Sequence, residues 1–424
     1  MTADANAPNK GDERGASLWR NRNWLLLWGG QLVSVAGTEI AQLAYPLLML
    51  ALTNSPAQAG FLTAARTAPF LALGLPAGAL VDRWNRRTVM LICDAGRALA
   101  LGSIPVALAL HHLTLTQLYL VALIEGALNV FFTLAESAAL PRVVTREQIA
   151  GATSLNEVSL AIGSTLGPAL GGVVFAIGQS FAFLADALSF VVSVVSVWFI
   201  RAPLTEPDAK RHTTDANALW NDIREGMVWL WRQRVLRLLA VVVGATVMIE
   251  GGYLLVVIIL AQRMSHSSTV VGLVLGAGGV GSIVGAALSG PIARRFTLGQ
   301  IALGVYWIWT PLLPLFALAP NPAALAAITF GTYGVTPIFF AVQYGYRLAV
   351  TPGPLQARVG SAYRLMMFLG QPLGLALAGL LSQSFGPIRT ILIFAALLLA
   401  LALLVTLNRD LRRAGKVTEV EISA

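Results

Sequence analysis

Charge is what this chain is short of. Lys, Arg, Asp and Glu make up 12% of its 424 residues, and Asp and Glu together number only 20, where soluble globular chains carry about 25% charged residues. A single cysteine, Cys93, excludes an internal disulfide. The four histidines, His111, His112, His212 and His266, fall in loops or a linker, and no set has metal-ligand spacing. There is no Gly-x-x-x-x-Gly-Lys-Ser/Thr loop, which argues against ATP as an energy source; Gly276, Gly278, Gly279 and Gly281 lie inside an apolar run and read as packing glycines. No Asn-x-Ser/Thr acceptor occurs, and no nucleophile and base stand out as an enzyme's pair. What is abundant is hydrocarbon: 56% of residues are hydrophobic and the mean hydropathy is +0.73.

Repeated apolar runs of at least ~18 residues read as membrane-spanning helices, because lipid offers the backbone no other hydrogen-bond partner. Twelve are expected, at 24–51, 57–81, 88–110, 117–140, 153–177, 179–200, 236–261, 270–293, 298–318, 322–346, 361–384 and 387–407. The fold class is therefore all-α integral membrane. A polar, charged tail precedes the first span, which is too long for a signal-peptide core, so no cleavable leader is expected.

The net charge of +9 does not indicate a nucleic-acid partner once the charges are placed. Of 29 Lys and Arg, 25 fall in the two tails, the central linker and the even-numbered loops; Arg263 and Arg389 alone fall on the other side, and Arg66 and Arg97 lie inside spans. That bias puts both termini in the cytoplasm of a multi-pass protein of the plasma or inner membrane. The expected organisation is a cytoplasmic tail at 1–23, a six-helix bundle at 24–200, a linker at 201–235, a second six-helix bundle at 236–407 and a tail at 408–424. Within the linker, Leu219, Ile223, Met227, Leu230 and Trp231 share one helical face, and Trp229 and Trp231 stand beside Arg232, Arg234 and Arg237. Such a helix lies in the headgroup layer.

The two bundles echo each other. Glu39 sits about as deep in the first span as Glu250 does in the seventh, "GALVDRW" at 78–84 aligns with "GPIARRF" at 290–296, and "LGPALG" at 166–171 with "LGQPLG" at 369–374. Duplicated helical halves are the build of a transporter that rocks about a central site.

Between spans two and three, Gly78, Leu80, Asp82, Arg83, Arg86 and Arg87 match the pattern Gly-x-Leu-x-Asp-Arg-x-Gly-Arg-Arg/Lys, with Asn85 where the pattern has glycine. With twelve spans in six-plus-six form, the chain resembles the major facilitator superfamily. The resemblance implies that fold, two pseudo-symmetric six-helix bundles, and a cavity lined by spans 1, 4, 7 and 10. It also gives this turn a role as a latch between bundles, with Asp82 meeting a helix N-terminus of the other half and the arginines meeting acids or lipid phosphates. Asp94, Arg97 and Glu136 are expected to join it.

"GSTLGPALGG" in span five carries Gly163, Gly167, Pro168, Gly171 and Gly172, which resembles the helix-bend motif of proton-coupled drug exporters. The segments "ALPRVVTREQIAGATSL", "FAFLADALSF" and "DIREGMVWLWRQRVLR" resemble the branch that includes macrolide and enterobactin exporters. That branch implies efflux of a small molecule by alternating access.

Ionisable groups at depth cost roughly 2.5–3.5 kcal/mol each on insertion scales and mark function. Glu39, Glu125, Glu250 and Arg66 are the proton-coupling candidates, Glu39 leading. By depth, Arg66 (roughly 13 Å down) is able to pair with Glu39 (roughly 18 Å) or Glu125 (roughly 12 Å) at 1.5 Å per residue, either as a static brace or as a proton-coupled pair. Gln31, Thr38, Gln42 and Tyr45 in span 1, Asn129 in span 4, Tyr253 in span 7 and Tyr333, Thr336, Gln343 and Tyr344 in span 10 are expected to line the substrate cavity. Asp186, in span six, reads as a helix-packing hydrogen bond. Desolvation favours a neutral carboxyl and a nearby guanidinium a charged one, so changing water access lets proton release accompany substrate capture.

The expected function is thus a proton-coupled exporter of a bulky hydrophobic or amphipathic molecule, such as a macrolide, a siderophore or a lipophilic cation. The expected partners are that substrate and membrane lipid, the energy source is the proton gradient, no cofactor or metal is needed, and the chain works as a monomer. A facilitator or importer of a nutrient or lysolipid is the alternative, and a transport-dead receptor a more distant one.

Overall fold

The structure, a computed structural model, describes residues 17–204, 216–412 and 414–415. Those residues are helical throughout, with no strand among them. The first half contains α1 (Arg22–Thr53), α2 (Pro56–Thr67), α3 (Pro69–Val81), α4 (Arg86–Ala109), α5 (Leu115–Val143), α6 (Ile149–Ile177) and α7 (Gln179–Trp198). A linker helix follows, α8 (Ala216–Arg232). The second half contains α9 (Arg234–Ser265), α10 (Ser268–Arg295), α11 (Leu298–Leu318), α12 (Pro322–Val350), α13 (Gln356–Phe385) and α14 (Pro387–Leu407), before the short α15 (Arg409–Arg412).

Eleven of these helices are long and apolar enough to cross a membrane. The twelfth crossing, expected as one helix over 57–81, is made by α2 and α3 in succession. Pro69 has no N–H to offer and its ring opposes the carbonyl one turn back, so the helix breaks at Ala68. Ala68 keeps right-handed helical angles (φ −57°, ψ −33°), so the chain runs on in nearly the same direction. Local chemistry sets the other ends: Asn21, Ser55, Asn85, Thr114 and Asn321 cap the helices that follow them, and Asn54 ends α1 in the left-handed region at φ 51°.

Large apolar side chains cover the outside, among them Ile92, Leu99, Leu188, Leu318 and Leu407. A water-soluble protein would bury such a belt; in a bilayer it is the lipid face. Inside, Tyr45, Phe183 and Phe190 fill the first bundle and Tyr306, Phe316, Phe339 and Tyr363 the second.

An even number of crossings leaves both tails at one end of the bundle, here called the tail end. At the far end the halves touch backbone to backbone. Gly60 of α2 lies on Gly379 and the Leu375 carbonyl of α13, and Gly172 of α6 lies on Gly272 and the Ser268 carbonyl of α10, with no room for a side chain at either crossing. The α6–α10 crossing continues inward to Gly279 against Thr165, and Phe70 meets Phe368 at mid-depth with ring centroids 5.2 Å apart. Toward the tail end the glycines of the matching turns face open space. A side chain grown at Gly78 of α3 or Gly290 of α10 would meet nothing within 4 Å.

Of the linker helix, Leu230 is fully buried, and Gly226 presses on the Arg358 backbone of α13. The side chains of Leu219 and Ile223 lie outside the described residues, as do most of the two tails.

Candidate functional site

Between the halves lies a cavity of two adjoining lobes. The first, of about 360 Å³, is walled by α1 to α5 with Leu160 of α6 and Gln371 of α13, and lined by Gln31, Thr38, Asn129 and Glu136 among others; the second, of about 510 Å³, reaches Glu250, Tyr333 and Thr336 of the second half. Glu39, Gln42, Arg66, Thr67 and Gln371 line both. Volumes of roughly 300–1,000 Å³ suit drug-sized ligands.

Arg66 closes a bidentate pair with Glu125, not with Glu39: its Nε donates to Oε2 at 2.7 Å and its Nη2 to Oε1 at 2.8 Å. The break at Pro69 and the absence of a side chain at Gly126 together seat this pair. The Arg66 carbonyl lies directly against Gly126, and the Pro69 ring stands beside it. A β-carbon at 126 would overlap that carbonyl and push α2 away from Glu125. The Tyr45 hydroxyl donates to Glu125 Oε2 at 3.0 Å, and its ring lies 5.5 Å from the Arg66 guanidinium. Arg97 completes the cluster, with Nη2 4.0 Å from Glu125 Oε1 and Nη1 3.5 Å from Asp94 Oδ1. Its guanidinium carbon lies over the Phe190 ring, 3.8 Å from the centroid. Asp186 is fully buried beyond it and accepts from Thr38 and Ser189, each at 3.3 Å.

Glu39 is half-buried on the wall shared by the lobes. In the second half Glu250 accepts from Thr336 at 3.1 Å, and Arg66, the arginine that lines the same lobe, is paired with Glu125.

Glycines seat both acids. Gly163 and Gly167 of α6 pack on α1 at Val35 and Glu39, and Gly171 packs on the Ile40 carbonyl, so α6 crosses α1 where Glu39 leaves the helix. In the second half Gly370 and Gly374 of α13 press on α9 at the Gly244 and Met248 carbonyls, two residues before Glu250. The duplication legible in the sequence is thus a pair of matching seats, each a glycine pair four residues apart holding an acid-bearing helix.

The family model described as Major Facilitator Superfamily matches residues 27–344. The chain belongs to the major facilitator superfamily. It is 29% identical over 379 residues to the multidrug efflux pump Tap of Mycolicibacterium fortuitum, covering 85% of this chain and 90% of that one. It is 26% identical over 390 residues to the enterobactin exporter EntS of Salmonella choleraesuis (strain SC-B67), covering 90% and 91%. Among solved structures it resembles a bacterial homologue of the human lysosomal transporter Spinster in an inward-facing, unoccupied conformation, with TM-score 0.73, 14% identity, and 96% and 99% of the two chains covered. This is a membrane transporter with the major facilitator fold, not an enzyme.

Several site residues of this superfamily member lie elsewhere than their sequence positions suggested. Asp94, Arg97 and Glu136, expected in the tail-end latch, belong to the cavity region: Asp94 and Arg97 are buried in the charge cluster, and Arg97 and Glu136 line the first lobe. Tyr45 and Tyr253 stand behind the wall; Tyr253 stacks on Phe316 at 6.1 Å and meets Tyr333 edge-on at 5.7 Å. Gln343 is buried away from both lobes, and Tyr344 is 52% exposed, its ring 4.8 Å from the Arg347 guanidinium.

In the turn after α3, Asp82 is exposed at the helix end. Arg86 donates to the carbonyls of Ala138 (3.1 Å) and Leu204 (3.3 Å), and Arg87 donates to the Trp198 carbonyl and lies over that indole at 6.0 Å. These contacts tie the turn to α5, to the end of α7 and to the segment after it. Gln371 was not singled out in the sequence although it sits inside "LGQPLG"; the glycines around it read as packing and hid its polar side chain.

Proposed function

We propose that this chain is a proton-coupled exporter of a bulky hydrophobic or amphipathic molecule, with a positively charged one favoured. One observation carries the reading: Glu39 and Glu250, from matching positions of the two halves, line one cavity, while Arg66 and Arg97 are engaged by Glu125 and Asp94. An acid whose neighbouring arginine is already paired elsewhere binds either a proton or a cationic substrate, which makes the two exclusive and couples their opposite movements. The efflux function of the two relatives supports the direction. The arginine bias supports placing the tail end in the cytoplasm. In that orientation the Asp82 turn lies on the cytoplasmic side, and it engages the other half when that side closes.

Inside-out vesicles carrying the protein test this. With a proton gradient imposed, adding tetraphenylphosphonium, a macrolide or a catecholate siderophore is expected to release protons for at least the cation. Glu39→Gln is expected to abolish that release while the protein remains in the membrane. Substrate movement that runs only downhill and is unchanged when the gradient is collapsed with an uncoupler overturns the proposal and favours a facilitator.

A further inference from the structure

Away from the central cavity, a groove of about 700 Å³ runs between α8 and α13. Its walls are Met227, Val228 and Trp231 on one side and Leu365, Met366 and Leu369 on the other, with Arg232 the one charged residue among them. We propose that this groove is a site for one anionic glycerophospholipid, with an acyl chain between the helices and the phosphate on the arginines at its rim.

Depth supports a lipid. The Tyr363 hydroxyl donates to the Leu236 carbonyl at 2.8 Å, which sets the start of the third turn of α13 close to the first turn of α9, where span seven begins. Leu365, Met366 and Leu369 therefore lie just inside the hydrocarbon layer, and Trp231 sits at its edge, where indoles concentrate. Charge supports an anion. Arg232 ends α8, and Arg234 and Arg237 follow at the start of α9; all three are exposed, and Arg237 donates to the Trp231 carbonyl at 3.3 Å. Glu225, an acid on the same helix, is taken by Arg358 at 2.6 Å. A free phosphate would leave the apolar walls uncovered. A protein partner would have to reach them through the membrane. A hydrophobic cation would be repelled by the rim. Only an amphiphile with an anionic head and a hydrocarbon tail matches both parts. Since α8 joins the two halves, the bound lipid would fasten the connector to the second half.

Native mass spectrometry of the full chain in mild detergent tests the site independently of any transport reading. Wild type is expected to retain one phosphatidylglycerol under conditions that strip phosphatidylcholine. Arg232→Gln with Arg237→Gln is expected to weaken that binding about 30-fold, since each basic residue near an anionic headgroup contributes roughly a fivefold preference. Met366→Trp, which fills the groove with the arginines intact, is expected to remove the lipid as well. Equal retention of the two lipids, an unchanged phosphatidylglycerol count in Met366→Trp, or full displacement by glycerol phosphate would each overturn the proposal.

Discussion

Removing Glu125 while keeping Arg66 leaves a guanidinium stranded against the cavity wall, and the cost follows from the geometry. The pair is bidentate at 2.7 and 2.8 Å, and its side chains are 12% and 2% exposed. Breaking a buried pair from one side costs about 3–5 kcal/mol, because the remaining charge is uncompensated. Glu125→Leu should fall at the upper end, since the Tyr45 hydroxyl loses its acceptor too, at about 1–3 kcal/mol for an unsatisfied buried group. Arg66→Met should cost less, because Arg97 stands 4.0 Å from the orphaned carboxylate. Replacing both by apolar groups removes the stranded charges, so the double variant Glu125→Leu with Arg66→Met should return to within about 1–2 kcal/mol of wild type, the remainder belonging to Tyr45. Unfolding in detergent, followed for all four proteins, gives the coupling energy directly. Additive losses would refute the pairing. A stable double variant that still transports uphill would reduce the pair to a brace, whereas a stable double variant that has lost coupling would assign it a part in transport.

Two further substitutions probe the helix seats. Gly167→Ala places a β-carbon on that of Glu39 and is expected to impair substrate-driven proton release in vesicles; Gly29→Ala, where a side chain meets nothing within 4 Å, is the control and should be silent. Equal behaviour of the two variants would remove the seat from the account. Gly379→Leu should wedge the far end open, because its side chain would enter the backbone of Pro56 and Gly60. In a Cys93→Ala background, a cysteine at Ser55 should then react faster with a membrane-impermeant maleimide from the far side, and an unchanged rate would refute this.

The crossings were legible in the sequence because lipid forces each span to satisfy its own backbone, and apolar length alone reveals that. The broken second span was legible in part: Pro69 is plain in the sequence, but its consequence depends on Gly126 in another helix. Depth along an axis gives height and no bearing around it, which is why depth offers Arg66 a pair with Glu39 first and Glu125 second, whereas α2 lies on α5 and the pair is with Glu125. Asp94 and Arg97 seemed part of the turn because they follow it closely. They lie eight and eleven residues past Arg86, however, and roughly 12–17 Å of helix carries them to the height of the cavity. Tyr45 shares the stripe of Thr38 and Gln42, yet at its level α5 and α7 close over α1 and turn the stripe inward.

The glycine contacts at the far end have an implication for control. Glycine set against main chain brings no charge for salt to screen and no acid to titrate, so the surrounding solution has little hold on those crossings. In the proposed exporter, control of that door falls to the cavity that Glu39 and Glu250 line.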